Sequence, residues 1–358
     1  MVVLQACAFA APAPGNFLSA LMGLEEKLKL LGVDTIYAFP ERARDKEWCK
    51  ALQQRTKVYF LPEAQARIRM ETYQCFWRIY RENDVQIVHS HFELYDIPAT
   101  VTAPKGVKVF WHLHDALKEN YERAPFVHRF LTRLQYGFFS KRAVMLSVSE
   151  EHARFAESLG FDPRRIHYVP NGINTQRIRI GEIDKYTDRP EFLLFGWEVH
   201  RKGVDLLVEA AGAIRDPRLR IRVVGQEACR EFLTSASAPS SVVFSEPVSD
   251  INELYGKATA FLHISRAEGL SYALLEAIYA GLPIICSDIP ENRFAERFRN
   301  ILWIRSGSVD DLTGALVEML DVSQNVRGED IRYNQEQIMR YYSQNIWVDR
   351  ITTFYMEQ

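Results

Sequence analysis

The sequence lacks the features that mark disulfide-rich, zinc-stabilised or membrane-spanning proteins. Its five cysteines are scattered without a C-x-x-C pair, which indicates neither a disulfide framework nor a zinc site. No apolar run approaches the roughly 18 residues of a transmembrane helix. The formal net charge of −2 gives no indication of nucleic-acid binding. The apolar N-terminus lacks a basic region, so we expect a first β-strand there rather than a signal peptide, and a cytoplasmic protein.

What the sequence does contain is an alternation of short apolar runs and amphipathic stretches. Strands are predicted at 2–8, 35–39, 85–89, 107–112, 143–149, 192–196, 220–225, 242–245, 259–264, 283–287 and 301–304. Helices are predicted at 18–31, 65–81, 204–214, 309–320 and 333–355. This alternation predicts an α/β protein with parallel sheets covered by helices on both faces.

The length of 358 residues and the double series of strands predict two domains. We expect a Rossmann-like domain over residues 1–175 and a second Rossmann-like domain over 176–332, each with a doubly wound parallel sheet. Residues 333–358 are predicted to form a C-terminal helix. The polar stretch 175–190 has no clear period and is the predicted hinge.

The most informative segment is 265–288, which reads SRAEGLSYALLEAIYAGLPIICSD. It follows a predicted strand, and its short turn opens a helix whose N-terminus offers unpaired N–H groups to an anion. Glu268 and Glu276 bracket this anion site, and carboxylates suit sugar hydroxyls rather than phosphate. At about 1.5 Å per helical residue, Glu276 lies roughly 7–8 Å from the helix start. This separation fits a nucleotide sugar, whose diphosphate lies between two groups of hydroxyls.

The same segment resembles the donor-binding signature of the family-4 retaining glycosyltransferases, which have the GT-B fold. The resemblance is carried by the E-x7-E spacing, the E-G-L-S turn and the string A-G-L-P-I-I-x-S-D. It implies two Rossmann-like domains facing across a cleft, with a final helix that crosses back to the N-terminal domain. It also implies that Glu268 holds the donor sugar hydroxyls and Glu276 the ribose diol, with Gly269, Leu270 and Ser271 in the donor loop.

Two cations precede the helix that follows the strand at 192–196. Arg201 and Lys202 stand where the family has a Lys-Gly pair, and they would stabilise the diphosphate leaving group. The family often has a further arginine directly after the strand glycine. This chain has Trp197 there, so Arg201 is the predicted substitute. No D-x-D motif stands beside a strand end, so the sequence predicts no metal site and no cofactor.

The N-terminal half offers three further candidates. His114, in the string W-H-L-H-D, resembles the family's post-strand histidine, which hydrogen-bonds the transferred sugar, and is a catalytic candidate. His91 matches a family H-x-H stretch and is a candidate for the acceptor side. Gly15 stands where the family has a glycine-rich loop near the phosphates. In the second half, Pro247 and Val248 match the loop whose backbone contacts the nucleotide base, and 169–174 resembles the turn at the domain junction.

Residues 118–142 carry six basic and two acidic side chains, with apolar residues at roughly helical spacing. Two interpretations stay open. A basic amphipathic helix can lie on an anionic membrane surface, where family members meet lipid-linked acceptors. The same pattern is typical of a helix packed on the core with a solvated basic face.

The sequence therefore predicts a retaining, metal-independent glycosyltransferase that moves a hexose-type sugar from a nucleotide-diphosphate sugar to a hydroxyl acceptor. The expected partners are the donor, a glycan, lipid-linked or small-molecule acceptor, and peripherally an anionic membrane. Two alternatives belong to other classes: a nucleotide-sugar epimerase or hydrolase on the same fold, and a catalytically silent partner subunit. The donor base, the donor sugar and the acceptor stay open.

Overall fold

The computed structural model describes residues 1–114, 116–179, 190–248, 250–322 and 327–357. These residues form two compact units. The first comprises Met1–Gly172 together with Gln344–Gln358, and the second comprises Ile173–Ser343. Each unit is built around its own parallel β-sheet, so the predicted α/β class with two parallel-sheet domains is confirmed.

The first unit contains a seven-stranded parallel sheet in the order β3-β2-β1-β4-β5-β6-β7. Its strands are β1 (Val2–Cys7), β2 (Asp34–Pro40), β3 (Val58–Leu61), β4 (Val85–His91), β5 (Lys108–Leu113), β6 (Ala143–Ser147) and β7 (Ile166–Tyr168). Its helices before residue 172 are α1 (Gly15–Leu30), α2 (Glu47–Gln53), α3 (Met70–Asn83), α4 (Asp96–Thr102), α5 (Leu117–Arg123), α6 (Phe126–Phe139) and α7 (Glu150–Ser158).

The second unit contains a six-stranded parallel sheet in the order β10-β9-β8-β11-β12-β13. Its strands are β8 (Glu191–Phe195), β9 (Arg220–Val224), β10 (Val242–Ser245), β11 (Ala260–His263), β12 (Ile284–Asp288) and β13 (Ile301–Arg305). Its helices are α8 (Val204–Ala213), α9 (Glu227–Ser235), α10 (Asn252–Tyr255), α11 (Tyr272–Tyr279), α12 (Val309–Val322) and α13 (Gly328–Tyr341).

The C-terminal segment differs from the single predicted helix over 333–355. It consists of α13, which belongs to the second unit, and α14 (Gln344–Met356), which packs against α1 in the first. The helix is interrupted because the Ile173 N–H donates to the Tyr342 carbonyl at 2.8 Å and Ile173 forms a bridge with Ser343. The units divide at residues 172 and 343, whereas the predicted boundaries are 175 and 332.

Most strands are apolar on both faces because helices cover both sides of each sheet. In both sheets the strand order reverses at one point, between β1 and β4 in the first unit and between β8 and β11 in the second. Ligands of open α/β sheets bind beyond the carboxyl ends of the strands at such switch points. The loops after these four strands contain most of the residues predicted to act.

The remaining differences from the sequence prediction concern short segments. Strands β3 and β7, of four and three residues, were not predicted. Helix α3 begins at Met70 rather than 65, because Gln65 adopts a positive φ of 54° that an α-helix does not tolerate. Of the predicted hinge, residues 175–177 form a 3-10 turn and 180–189 lie outside the described residues. Among the described residues, no helix is long and apolar enough to cross a bilayer.

Candidate active site

The loop after β8 depends on one glycine. Gly203 precedes α8 with a φ of +74°, and a Cβ atom there would lie 2.5 Å from the Ile264 carbonyl oxygen. Both facts favour glycine, which has no side chain to clash. The close approach brings the loop after β8 beside the loop after β11, and the Arg266 N–H donates to the Arg201 carbonyl at 2.8 Å. The two loops at the switch point of the second sheet therefore form one surface.

Three predicted residues meet on this surface. Lys202 Nζ lies 2.5 Å from Glu268 Oε1, and Arg201 Nη1 lies 3.6 Å from Glu268 Oε2. The Arg201 guanidinium also binds Glu198, through Nε at 3.0 Å. One buried carboxylate is thus held between two cations that come from the neighbouring loop. Such an arrangement orients both cations and keeps them available for an anionic ligand.

The electrostatics of Glu268 favour its ionised form. Burial by itself would raise its pKa, but the charges of Lys202, His263 and Arg201 outweigh that effect and lower the pKa to about 2. His263, on β11, donates a hydrogen bond from Nε2 to Asn292 Oδ1 at 3.2 Å, since an amide oxygen only accepts. Burial lowers the pKa of His263 to about 4, so at neutral pH this ring is uncharged. The sequence analysis missed His263, which stands as a polar residue inside an otherwise apolar strand.

The loop predicted to bind the donor ends at the N-terminus of α11. Ser271 caps the helix, and its Oγ accepts a hydrogen bond from the Leu274 N–H at 3.3 Å. Gly269 and Leu270 are buried directly before the cap. The first backbone N–H groups of a helix have no intrahelical partners, so this end of α11 attracts negative charge. The predicted donor loop therefore combines a helix N-terminus with the two cations on the adjacent loop.

Glu276 lies on α11, where Tyr255 Oη donates a hydrogen bond to its Oε2 at 2.7 Å. Burial raises the pKa of Glu276, while the Tyr255 hydrogen bond and the charge of Arg177 act in the opposite direction. Neither Tyr255 nor Arg177 was predicted from the sequence, because each is brought to Glu276 by the tertiary fold. A partly buried carboxylate can accept hydrogen bonds from the hydroxyls of a diol.

Two further predicted positions of the second unit follow β10 and β8. Pro247 is exposed and Val248 half-buried at the carboxyl end of β10, while Ser249 lies outside the described residues. Trp197, which replaces the family's arginine, is 42% exposed and stacks on Phe195 with ring centroids 6.1 Å apart. The loop after β8 therefore presents an aromatic face where the family has a charge.

In the first unit, Gly15 opens α1 with a φ of +58° and open space around the position of a Cβ atom. His114 follows β5 and is 7% exposed, and its Nε2 lies 3.0 Å from His91 Nδ1. His91 is fully buried, and its Nε2 lies 3.0 Å from Gln5 Oε1. His91 is therefore buried behind His114 and holds it by a hydrogen bond, whereas the sequence predicts His91 on the acceptor side.

His91 and His114 belong to a larger buried network on one face of the first sheet. The network consists of one residue of β1, two of β4, one of β5, one directly after β5 and one of α14: Gln5, His89, His91, His112, His114 and Tyr355. Gln5, His89, His112 and Tyr355 were not predicted from the sequence to belong to a functional site. The available signal was the polar side chains at every second position of strands predicted to be buried.

Three of these histidines also have the spacing of metal ligands. One ring nitrogen each of His89, His91 and His112 lies within 4.8 Å of the others. Imidazole is a ligand for zinc, copper, iron and nickel. Both ring nitrogens of His89 and of His91, and Nδ1 of His112, already make hydrogen bonds in the network. A metal ion bound to these atoms would therefore replace bonds within the network.

Comparison with known proteins identifies both units. A family described as "Glycosyltransferase Family 4" matches residues 23–177, and one described as "Glycosyl transferases group 1" matches residues 189–322. The fold is that of Anabaena Alr3699/HepE in complex with UDP and glucose, with a TM-score of 0.79, 14% identity and 99% of each chain covered. Two Rossmann-like units of this kind define the GT-B fold. The chain belongs to the family-4 glycosyltransferases.

Two curated relatives are similar over part of the chain. The lipopolysaccharide glucosyltransferase WaaG of Escherichia coli K12 is 28% identical over 190 residues, which are 46% of this chain and 51% of that protein. The N,N'-diacetylbacillosaminyl-diphospho-undecaprenol alpha-1,3-N-acetylgalactosaminyltransferase of Campylobacter jejuni is 26% identical over 276 residues, 69% of each chain. The chain thus spans about half of the length of the first relative.

Proposed function

We propose that this protein transfers a hexose-type sugar from a nucleotide-diphosphate sugar to a hydroxyl acceptor, in the synthesis of a glycan, glycolipid or polysaccharide. The observation that carries the proposal is the ionised Glu268 held between Lys202 and Arg201, beside the N-terminus of α11. A carboxylate acceptor, two cations and a helix N-terminus match the hydroxyls and the diphosphate of such a donor. Family membership supports the same reaction class.

The proposed chemistry relies on electrostatic stabilisation of the leaving group. As the bond between sugar and diphosphate breaks, negative charge grows on the diphosphate. Lys202 and Arg201, already oriented by Glu268, stabilise that charge without reorganisation. Glu268 accepts hydrogen bonds from the sugar hydroxyls, and Glu276 accepts them from the ribose diol. These two cations support a metal-independent departure of the diphosphate, and the family resemblance supports retention of the anomeric configuration.

In the first unit, the proposal assigns His114 to a substrate hydroxyl and Gly15 to a phosphate neighbour. Burial lowers the pKa of His114 to about 3, so its imidazole is neutral at physiological pH. A neutral imidazole offers one donor and one acceptor and is suited to hydrogen bonding rather than to charge stabilisation. Pro247 and Val248 keep their proposed place beside the nucleotide base.

A lipid-linked acceptor at an anionic membrane is the partner we propose for helix α6. The predicted segment 118–142 is two helices, α5 and α6, because Pro125 separates them and cannot continue a helix. Tyr136 of α6 packs into the core, but six other apolar side chains of this helix face solvent, with exposures from 44% to 75%: Phe126, Val127, Phe130, Leu131, Leu134 and Phe138. Large exposed apolar patches mark interaction surfaces.

The charged side chains near α6 indicate which kind of partner this helix binds. Arg133 and Lys141 are exposed beside the apolar side chains, and Arg133 also donates to the Ser158 carbonyl at 3.4 Å. Arg123 pairs with Glu119, and Arg142 donates to backbone carbonyls. A helix with outward apolar side chains flanked by basic groups is suited to the boundary between acyl chains and anionic headgroups. This arrangement favours the membrane interpretation over the packed helix, and the acceptor of the Campylobacter relative carries undecaprenol.

A ligand panel followed by product analysis tests the proposed reaction. Thermal shift is measured with UDP, GDP, ADP and their hexose and N-acetylhexosamine derivatives, since a ligand at a hundred times its Kd adds about 2.7 kcal/mol. The best donor is then incubated with candidate acceptors, and the anomeric configuration of the product is read by NMR. Stabilisation by one nucleotide series and a glycoside that keeps the donor's configuration are expected. Nucleotide release without a glycoside would favour a hydrolase or epimerase.

A further inference from the structure

Gln5 is a polar residue in the middle of an apolar strand, and its two amide atoms face different partners. Its Nε2 donates to Tyr355 Oη at 3.0 Å, and its Oε1 lies 3.0 Å from His91 Nε2. The side chain is 1% exposed. An amide nitrogen can only donate and an amide oxygen can only accept, so the orientation of Gln5 sets the direction of every hydrogen bond that follows.

The branch through His91 ends at His114. Because Gln5 Oε1 accepts, His91 Nε2 carries the proton and His91 Nδ1 carries a lone pair. That lone pair lies 3.0 Å from His114 Nε2, which must therefore be the donor. The remaining nitrogen, His114 Nδ1, is left with a lone pair. The Asn171 side chain lies within hydrogen-bonding reach of this ring, and its hydrogen bond opposes the larger effect of burial, which lowers the pKa of His114.

The branch through Tyr355 is consistent with the same direction. Tyr355 Oη accepts from Gln5 and donates to His89 Nδ1 at 2.6 Å. His89 Nε2 then donates to His112 Nδ1 at 3.2 Å, so His112 Nε2 also carries a proton. Burial lowers the pKa of His112, and a hydrogen bond with the Val169 backbone opposes that effect, as an accepting carbonyl does. This branch thus ends in a donor that faces an acceptor.

We propose that Gln5 is a positioning residue that fixes His114 in the Nε2–H tautomer, so that its Nδ1 accepts a hydrogen bond from a substrate hydroxyl. The use of this lone pair in the reaction rests on the proposed function, whereas the tautomer itself rests only on the network. The sequence separation of Gln5 and Tyr355, 350 residues, shows that the device exists only in the folded chain.

The opposite arrangement requires a complete reversal. If the Gln5 amide were turned over, every proton of both branches would move to the other nitrogen, and His112 Nε2 would present a lone pair to the Val169 backbone. His114 Nδ1 would then donate, towards the nearby Asn171 side chain. Burial lowers the pKa of all four histidines well below its usual value. Each ring is therefore neutral and has one of two tautomers.

The primary experiment reads the tautomer in the ligand-free, wild-type protein. Two-bond and three-bond ¹H–¹⁵N correlation spectra of protein with ¹⁵N-labelled histidine distinguish a protonated Nδ1 from a protonated Nε2. The His114 signals are assigned by their loss in His114→Gln. The Nε2–H pattern for His114 and His112 is expected. A proton on His114 Nδ1 overturns the proposal, and so does a metal-shifted pattern at His89, His91 and His112 after addition of zinc at stoichiometric concentration.

A series of variants distinguishes the effect of hydrogen-bond direction from the effect of side-chain packing. Gln5→Met keeps the approximate shape but removes both hydrogen bonds, so the His114 spectrum should show both tautomers. Gln5→Glu keeps an acceptor for His91, so His114 should retain Nε2–H. Phe110→Leu is the packing control, because Phe110 contacts the rings of His89 and Tyr355 and makes no hydrogen bond to them. An unchanged His114 tautomer in folded Gln5→Met overturns the role of Gln5. If Gln5→Met fails to fold, the wild type and Gln5→Glu decide.

Activity then tests the use of the lone pair. In Gln5→Met, kcat/KM should fall roughly three- to tenfold, the range for one neutral hydrogen bond, while the Kd of the nucleoside diphosphate stays unchanged. Gln5→Glu should restore most of this loss, and Phe110→Leu should show little of it. An equal loss in all three variants overturns the positioning role. The tautomer spectra need no turnover, so a missing transferase activity would refute the proposed function without deciding the tautomer.

Discussion

Lys202 Nζ lies 2.5 Å from Glu268 Oε1, and only 13% and 6% of the two side chains are exposed. The pair joins the loop after β8 to the loop after β11 at the switch point of the second sheet. We propose two roles for a carboxylate in this position: it orients the cations, and it offers lone pairs to a ligand. The first two predictions separate these roles.

Glu268→Gln should weaken binding of the nucleotide sugar far more than binding of the nucleoside diphosphate. The sugar hydroxyls lose a charged acceptor, which is worth about 1.5–3 kcal/mol, or roughly 10- to 150-fold in affinity. Calorimetry with both ligands on both proteins measures the difference. An equal loss for the two ligands would show that Glu268 only orients the cations.

Lys202→Ala should lower kcat more than it raises KM, because the charge on the diphosphate grows towards the transition state. Steady-state kinetics with the best donor measure both constants. Lys257→Ala, which removes an exposed lysine of the same unit, is the control for general charge effects. A change confined to KM would mean that Lys202 assists only ground-state binding.

Affinity for the nucleotide sugar should fall at acidic pH, as Glu276 gains a proton and loses its capacity to accept from the ribose diol. Burial raises the pKa of Glu276, so the loss begins above the usual range of a glutamate. Tyr255→Phe removes a hydrogen bond that lowers this pKa, and should move the loss to higher pH. The pKa of Glu268 is about 2, so Glu268 stays ionised throughout.

The measurement is the Kd of the best nucleotide sugar between about pH 4 and 8, a range that includes the ordinary pKa of glutamate. Glu276→Gln is the matched control and should show a weaker but flat profile. Superimposable profiles for the wild type and Tyr255→Phe would remove Glu276 from the ribose assignment.

The protein should sediment with vesicles that contain phosphatidylglycerol at low salt and be released as salt rises. Phe130→Ser with Leu134→Ser should abolish binding at every salt concentration, because insertion loses its apolar area. Arg133→Glu with Lys141→Glu should remove the part that depends on anionic lipid. Val317→Ser, at an exposed apolar site on α12, should change neither. Equal binding by all variants would exclude α6 as the membrane-contacting helix.

Two glycines of the same segment should respond in opposite directions to alanine. Gly203→Ala should destabilise the second unit by about 1–2 kcal/mol from the left-handed backbone alone, with an added cost from the contact with Ile264. Gly212→Ala lies within α8 with open space around it and should stabilise the helix by about 0.5–1 kcal/mol. Urea unfolding measures both. Equal changes in the free energy of unfolding for the two variants would mean that the loop at Gly203 accommodates a Cβ atom without strain.

The positions of most strands and of the helix start after Glu268 were predictable because their causes are local. Apolar runs report burial on both faces of a sheet, and the E-G-L-S turn reports a helix N-terminus, which Ser271 indeed caps. The predictions that failed concern competition between local and long-range contacts. The helix predicted over 333–355 is interrupted because Ile173, about 170 residues earlier in the chain, pairs with its middle. No pattern within the segment could reveal that partner.

The sequence by itself determined the two parallel-sheet domains and the identity of Glu268, Arg201 and Lys202 as candidates, because periodicity and spacing act over a few residues. Only the tertiary structure decided that Tyr255 binds Glu276, that α6 turns its apolar side chains outward, and that Gln5 and Tyr355 meet His89 and His91. Such contacts join residues far apart in the chain. Each is settled by how the elements pack, since burial, hydrogen-bond direction and exposure are properties of the assembled fold.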